Sequence, residues 1–292
     1  MLEFLISNIQ NMDISIINKL IIILTKYIKN PSLCATDFLG KYICSTKEGD
    51  MVDKNEIYSK YLNRNVTYTF IEDKDSDLFL YFFDGANLYD KKESFIGEVW
   101  ALDKAIEKIG LRANLVGIYC ADGDERTNEY SPFEDYTNRE AREKLNPKGI
   151  LTGKFIVDEL MPVVEKGKNP SSRLIGGSSM GGVMSLYMGG AYPRIFDKVL
   201  AMSTHFLIDP LGMGEVLSKF DLKNKQKVYL DTGTKEFDDE VIQKSYVNLS
   251  QMAYGFLKDR VDIKYVIDEG AFHNEIYWQK RLPNALRYLY DL

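Results

Sequence analysis

The sequence feature that most constrains the fold is the glycine-rich run Gly176-Gly177-Ser178-Ser179-Met180-Gly181-Gly182. It follows a short apolar run at residues 173–175. It precedes residues 183–188, where apolar side chains recur at helical spacing. The pattern predicts a β-strand, a sharp turn and an α-helix. Glycines flank the turn because only a residue without a Cβ lets the strand and the helix pack so closely.

Residues 177–181 also fit the Gly-x-Ser-x-Gly pattern of a nucleophile elbow. In that arrangement Ser179 occupies a strained turn and its Oγ projects toward solvent as a candidate nucleophile. An ordinary glycine-rich turn that holds a phosphate at a helix N-terminus would have the same composition. The motif alone therefore leaves both interpretations open.

The rest of the chain alternates strand and helix patterns. Strands are predicted at residues 66–71, 78–83, 115–120, 173–176, 199–203, 228–231 and 263–267, and helices at 95–109, 155–164, 181–191, 241–257 and 276–290. This alternation predicts an α/β fold with a mainly parallel central sheet and helices on both faces. The polar connections 122–149 and 205–226 leave the carboxyl ends of strands, where such sheets bind ligands.

The N-terminal region has a different character. We expect residues 1–55 to form a helical N-terminal extension and residues 56–292 to form the catalytic domain. The apolar segment 14–28 is interrupted by Asn18, Lys19 and Lys26. It is also shorter than the roughly 20 residues that cross a bilayer. It is therefore interpreted as a packed or interfacial amphipathic helix, and no stable membrane insertion is expected.

Charge and cysteine usage narrow the partners and the compartment. The net charge of −6, with acidic and basic residues interspersed, argues against nucleic acid as a partner. Three cysteines without Cys-x-x-Cys spacing indicate free thiols in a reducing compartment. A cytoplasmic location is expected, and a homo-oligomer is left open.

A serine hydroxyl needs an imidazole to accept its proton, and the chain has only two histidines. His273 lies in a turn-like segment between the last predicted strand and the last predicted helix, so it is the candidate base. His205 follows another strand and reaches the same carboxyl edge. It is a candidate for lining the pocket.

The third member of such a triad is a carboxylate that orients the imidazole, and it should lie between the serine and the histidine in sequence. Asp231 ends a predicted strand, Glu236 lies further along the loop, and Asp238 and Asp239 are typical of a helix start. Glu236 is favoured because it has reach toward the histidine turn.

An oxyanion hole completes the set with backbone N–H donors. The Met180 N–H, next to the nucleophile, is one expected donor. The other is expected from the turn after the early buried strand, where Ala86 follows Gly85. An ordinary tight turn at Asp84-Gly85 would have the same appearance.

These segments together resemble the putative-esterase family of α/β-hydrolases, which includes enterochelin and bacillibactin esterases, S-formylglutathione hydrolase and feruloyl esterases. The resemblance rests on the oxyanion turn at 83–89, the elbow at 177–182, the segment 192–197, the acid loop at 231–236 and the histidine segment 270–278. It extends from about Tyr58 to the C-terminus.

The resemblance implies an α/β-hydrolase fold and serine-dependent ester hydrolysis through an acyl-enzyme, with a small-molecule ester as partner and neither metal nor organic cofactor. It does not name the ester, for which siderophore-type, carbohydrate and aryl esters are candidates. Arg126 and Glu129 resemble a segment of the siderophore-esterase branch, either as an ion pair that braces the loop or as a substrate contact at Arg126. An acyltransferase with the same triad, and a binding protein on a retired hydrolase fold, are the alternatives.

Overall fold

The structure is a computed structural model that describes residues 52–136 and 144–292. One mixed sheet of eight strands forms the centre of this part of the chain. The strands are β1 (Lys54–Ser59), β2 (Arg64–Ile71), β3 (Leu78–Phe83), β4 (Asn114–Ile118), β5 (Ser172–Ser178), β6 (Lys198–Met202), β7 (Lys227–Gly233) and β8 (Asp262–Asp268). Their spatial order is β1-β2-β4-β3-β5-β6-β7-β8. The β1–β2 and β2–β4 pairs are antiparallel and all other neighbouring pairs are parallel. The predicted, mainly parallel α/β sheet is thus confirmed.

The helices form two layers. They are α1 (Leu102–Ile109), α2 (Asp124–Glu129), α3 (Gly149–Lys154), α4 (Met161–Val164), α5 (Met180–Ala191), α6 (Pro210–Ser218), α7 (Glu240–Leu257) and α8 (Glu275–Tyr290). A π-helical segment, Phe155–Leu160, joins α3 to α4. Apolar side chains of α1 and α8 pack on one face of the sheet. Those of α5, α6, α7 and the segment 149–164 pack on the other.

The seven predicted strands are all present, with ends displaced by at most two residues. β3 is the clearest case, because its six residues are almost wholly buried beneath both helical layers. Its apolar run therefore has no polar alternation, as is typical of a strand covered on both sides. β1 was not predicted, since Lys54–Ser59 is a largely exposed edge strand with few apolar side chains.

Two helix predictions and one predicted connection need correction. The helix predicted at 95–109 begins only at Leu102, because Ala101 before it has a left-handed backbone with φ of +48°. The helix predicted at 155–164 begins earlier, at Gly149. The connection 205–226 contains α6, in which Pro210 is the first residue and the Asp209 side chain accepts a hydrogen bond from the Gly212 N–H. This helix was not predicted because Pro210 and two glycines interrupt the helical spacing of its apolar residues.

Residues 1–51 lie outside the described residues, and with them most of the predicted N-terminal extension and its apolar segment 14–28. Within 52–136 and 144–292, no helix combines the length and apolar character that crossing a membrane requires. β1 begins at Lys54, so it straddles the predicted boundary between residues 55 and 56.

Candidate active site

Ser179 occupies the sharp turn between β5 and α5, with φ of +54° and ψ of −118°. A Cβ on Gly177 would lie 2.7 Å from the Gly181 carbonyl carbon, so the strand and helix approach this closely only with glycine there. The Ser179 side chain makes no capping hydrogen bond to α5. Ser179 is partly exposed, so the helix leaves its hydroxyl available for chemistry.

His273 lies in the turn between β8 and α8, and its imidazole is held by Glu236. The His273 Nδ1 is 2.9 Å from the Glu236 Oε2. The Glu236 side chain has no exposed surface, whereas that of His273 is 16% exposed. A buried carboxylate on Nδ1 requires the proton on that nitrogen, which leaves Nε2 as the proton acceptor. The His273 and Trp278 rings pack nearly perpendicular to each other, with centroids 5.1 Å apart.

The competing carboxylates of the same loop have other partners. Asp231 Oδ1 accepts from the Ser203 N–H at 2.9 Å, and Asp231 Oδ2 lies 3.1 Å from the Arg281 Nε. Burial raises the pKa of Asp231 to about 6, although the positive charge of Arg281 opposes that rise. Asp239 caps α7 by accepting from two backbone N–H groups, and Asp238 is exposed. Of these four carboxylates, Glu236 is the one hydrogen-bonded to His273.

Contacts among the loops after β5, β6 and β8 bring the serine and histidine segments together. The Ser179 carbonyl accepts a hydrogen bond from the His205 N–H at 3.1 Å. The Tyr246 ring on α7 packs near both imidazoles, with its centroid 6.0 Å from that of His205 and 5.9 Å from that of His273. All three segments therefore meet at the carboxyl edge of the sheet.

The predicted oxyanion turn follows β3 as a 3-10 helix, Gly85–Asn87. The N–H groups of Ala86 and Met180 lie in the first turns of their helices, where no intrahelical acceptor is available. A Cβ on Gly181 would lie 3.2 Å from the Asp84 Oδ2, so this turn abuts the elbow. The side chain of Asn87 donates to the Glu275 Oε1 at 3.1 Å and thereby ties the turn to α8.

Arg126 is fixed beside this turn. Its Nε and Nη2 each lie 2.9 Å from an oxygen of Asp84, and its guanidinium lies over the Tyr130 ring. The expected ion pair between Arg126 and Glu129 is wrong, since Glu129 binds Arg64 on β2 at 2.6 Å and 2.7 Å. Short helix α2 directs Arg126 to the turn after β3 and Glu129 to β2.

His205 carries the second imidazole at this edge. Burial lowers its pKa to about 3, and the positive charges of His273 and Arg126 act in the same direction. The ring is therefore neutral at physiological pH.

Sequence reasoning missed several polar residues around this site. Ser203 and Arg281 are buried close to Glu236, and Glu275 is buried at the start of α8. Trp278 and Glu275 belong to the histidine segment 270–278, and that segment was the one sequence signal that could have pointed to these residues. Within the described residues, no group of three or more His, Cys, Asp and Glu side chains could hold a metal ion.

The family known as Putative esterase matches residues 59–289, and the chain belongs to that family. The uncharacterized protein YbbA of Bacillus subtilis (strain 168) is 23% identical over 223 residues, which are 72% of this chain and 84% of YbbA. An IroE-like serine hydrolase from Shewanella oneidensis has a TM-score of 0.66 at 15% identity, over 82% of this chain and 80% of its own. Siderophore hydrolase EstA from Aspergillus nidulans has a TM-score of 0.65 at 15% identity, over 86% and 99%. These two structures share the fold.

Proposed function

We propose that this chain is a serine esterase that hydrolyses carboxylic esters through an acyl-enzyme on Ser179. His273 Nε2 accepts the Ser179 proton as Oγ attacks the ester carbonyl. The N–H groups of Met180 and Ala86 donate to the oxyanion. The alcohol leaves with the proton from His273. A water molecule then gives a proton to His273 and attacks the acyl carbonyl. The acid is released as Ser179 Oγ takes that proton back from His273.

The observation that carries the proposal is the hydrogen bond between His273 Nδ1 and the fully buried Glu236. A buried carboxylate that binds an imidazole fixes its tautomer and stabilises the imidazolium that forms when the serine is deprotonated. Together with the strained backbone of Ser179 at φ of +54°, it supports nucleophilic catalysis over an ordinary glycine-rich turn.

For the substrate we infer a siderophore-type, carbohydrate or aryl ester. The name of one structural neighbour, siderophore hydrolase EstA, supports the first of these. Arg126 and His205 are the proposed substrate contacts. Asp84 binds the Arg126 Nε and Nη2, which leaves Nη1 for an oxygen of the substrate. His205 offers a neutral ring nitrogen to the same pocket.

Ser179→Ala tests the chemistry. We expect kcat for p-nitrophenyl acetate to fall by at least about a thousandfold, as removal of a triad serine does. Ser185→Ala is the matched control, because the Ser185 hydroxyl only donates to the Gly181 carbonyl within α5. A fluorophosphonate should label the wild type and the Ser185 variant but not the Ser179 variant. Turnover near wild type without Ser179 would refute the assignment.

A substrate panel tests the specificity. Trilactone siderophores, feruloyl sugars and acetylated sugars should give kcat/KM values that differ from one another, with the physiological class the fastest. Product analysis with an added alcohol acceptor separates hydrolysis from acyl transfer. Release of free acid as the main product is expected, and a dominant transacylated product would instead assign an acyltransferase.

We also propose that residues 56–292 carry the catalysis, residues 1–55 form an extension, and the protein is cytoplasmic. Because β1 begins at Lys54, the testing truncation removes residues 1–51 only. Its kcat/KM for p-nitrophenyl acetate should stay within about twofold of the full chain, since a domain with its own core folds independently. Loss of activity in a folded truncated protein would refute the division.

A further inference from the structure

We propose that Ser203 is a positioning residue that locks the Glu236 carboxylate toward His273, an inference that rests on the proposed triad. Ser203 follows β6 directly and is fully buried. Its hydroxyl donates to the Glu236 Oε1 at 2.5 Å. Ser203 touches no reacting atom in the proposed mechanism, so its effect must pass through Glu236.

The direction of that hydrogen bond follows from the other partners of the hydroxyl. A serine hydroxyl has one proton to donate and two lone pairs to accept with. The Trp278 Nε1 lies 3.0 Å from the Ser203 Oγ and the Arg281 Nη2 lies 2.9 Å from it. Both nitrogens are donors only. They occupy the acceptor positions, and the proton is left for Glu236.

The second donor to Glu236 makes the orientation of the carboxylate unique. The Gly233 N–H also donates to Oε1. With two donors on Oε1, the other oxygen is presented to His273 Nδ1 at 2.9 Å. Rotation of the carboxylate out of this plane would break both bonds, and the Glu236 side chain has no exposed surface on which water could replace them, which is costly for a buried charge.

The backbone of Ser203 supports a role for its hydroxyl. Its φ is +44°, in the left-handed region that favours glycine. The conformation is held by the Ser203 N–H, which donates to Asp231, and by the Ser203 carbonyl, which accepts from the Tyr246 hydroxyl. Glycine would adopt this backbone with less strain, so a serine at this position costs conformational free energy.

Arg281 strengthens the donation. The Arg281 side chain is only 7% exposed, and its Nε is 3.1 Å from the Asp231 Oδ2. Its guanidinium therefore places a positive charge against the oxygen of Ser203, which polarises the O–H bond toward Glu236. The hydroxyl acts as the link between two buried charged groups.

Ser203→Gly is the primary test, because it deletes the hydroxyl and relieves the backbone. We expect kcat for p-nitrophenyl acetate to fall about 10- to 100-fold while KM changes less than about threefold, as for a group that acts in the transition state. Thr204→Val is the matched control, since the neighbouring buried Thr204 hydroxyl has no hydrogen-bond partner among the described residues. It should keep kcat within about twofold.

A double-mutant cycle with Glu236→Gln distinguishes positioning from a general structural role. If Ser203 acts through the carboxylate, Ser203→Gly should slow the Glu236→Gln enzyme by less than about twofold. An equal loss in both backgrounds would overturn the proposal, as would a near-wild-type kcat for Ser203→Gly alone. Should that variant not fold, Ser203→Ala deletes the same hydroxyl and keeps the Cβ, and it should slow the wild type about 10- to 100-fold and the Glu236→Gln enzyme by less than about twofold.

Failure of the esterase proposal itself gives a different result. In that case the Ser179→Ala protein would retain the activity of the wild type. An inactive Ser179→Ala enzyme beside a fully active Ser203→Gly enzyme refutes only the role of Ser203.

Discussion

Replacing Glu275 by glutamine should stabilise the protein at alkaline pH and leave its stability nearly unchanged in acid. Glu275 is the first residue of α8, is 3% exposed, and accepts a hydrogen bond from the Asn87 side chain. Burial raises its pKa from the ordinary 4.5 to about 7, and the negative charges of Asp84 and Glu98 add to the rise while Arg126 opposes it. Glutamine keeps the acceptor for Asn87 and removes the charge.

The size and sign of the effect follow from linkage. A carboxyl whose folded-state pKa is raised binds its proton more tightly in the folded state, so ionisation destabilises the fold. The penalty is nearly absent below 4.5, grows between 4.5 and about 7, and is complete above 7. Each unit of pKa corresponds to about 1.4 kcal/mol, which gives a full penalty of about 3 kcal/mol at pH 8.5 and less than about 0.5 kcal/mol at pH 4.5.

Urea denaturation of wild type and Glu275→Gln between pH 4.5 and 8.5 measures the difference. The free energy of unfolding of the variant should exceed that of the wild type by an amount that rises with pH. Glu107→Gln, on the exposed side of α1, controls for the loss of one negative charge. A difference that is constant with pH, or that grows toward acid, would refute the reasoning.

Three further outcomes are expected. NMR of the imidazole signals should find His205 neutral from pH 8 down to pH 5, because burial lowers its pKa to about 3, and a midpoint above 5 would contradict this. Gly177→Ala should lower the free energy of unfolding by at least about 3 kcal/mol through overlap with the α5 backbone, whereas Gly255→Ala, with open space around it in α7, should raise it by up to about 1 kcal/mol in the same melts. Glu129→Ala should cost about 3 kcal/mol in urea denaturation, because it leaves Arg64 half-buried without its carboxylate, and a loss below about 1 kcal/mol would contradict that estimate.

The sheet was predictable from sequence because its inner strands are covered on both faces. The apolar run of β3 was predicted at its observed ends, and the strands on either side of it needed only small adjustments. β1 escaped prediction because an exposed edge strand needs backbone pairing and little apolar surface. α6 escaped because Pro210 and Gly212 suppress the local helix signal, whereas the packing of Met213 and Val216 in the core stabilises it.

Partners of charged side chains were harder to predict. Arg126 and Glu129 are three residues apart on α2, a spacing that favours an ion pair on an isolated helix. In the fold, Asp84 from the turn after β3 and Arg64 from β2 offer bidentate geometry, which is stronger than an exposed pair on one helix. The contacts of Ser203 were equally hard to predict, since its partners come from β7 and the loop after it, from α7 and from α8.

Buried charge decides which of the two carboxylates, Asp231 or Glu236, pairs with His273. Asp231 is nearer the strand end, yet one of its oxygens accepts from the Ser203 N–H and the other forms an ion pair with Arg281. A buried guanidinium needs such a partner, because an unpaired charge in the interior is strongly destabilising. Glu236 is left with Oε2 directed to His273.

Buried charge around Glu236 also bears on catalysis. Arg281, Asp231 and Glu236 form a buried group in which two carboxylates face one guanidinium, and Arg281 also pairs with the partly exposed Asp268, so negative charge is in excess while His273 is neutral. In the proposed mechanism the imidazolium that forms as Ser179 attacks offsets part of that excess, and the transition state is favoured over the ground state. Because burial raises the pKa of Asp231 to about 6, protonation below that pH reduces the excess negative charge. The group then loses part of its ability to stabilise the imidazolium, so kcat should fall as the pH drops through 6.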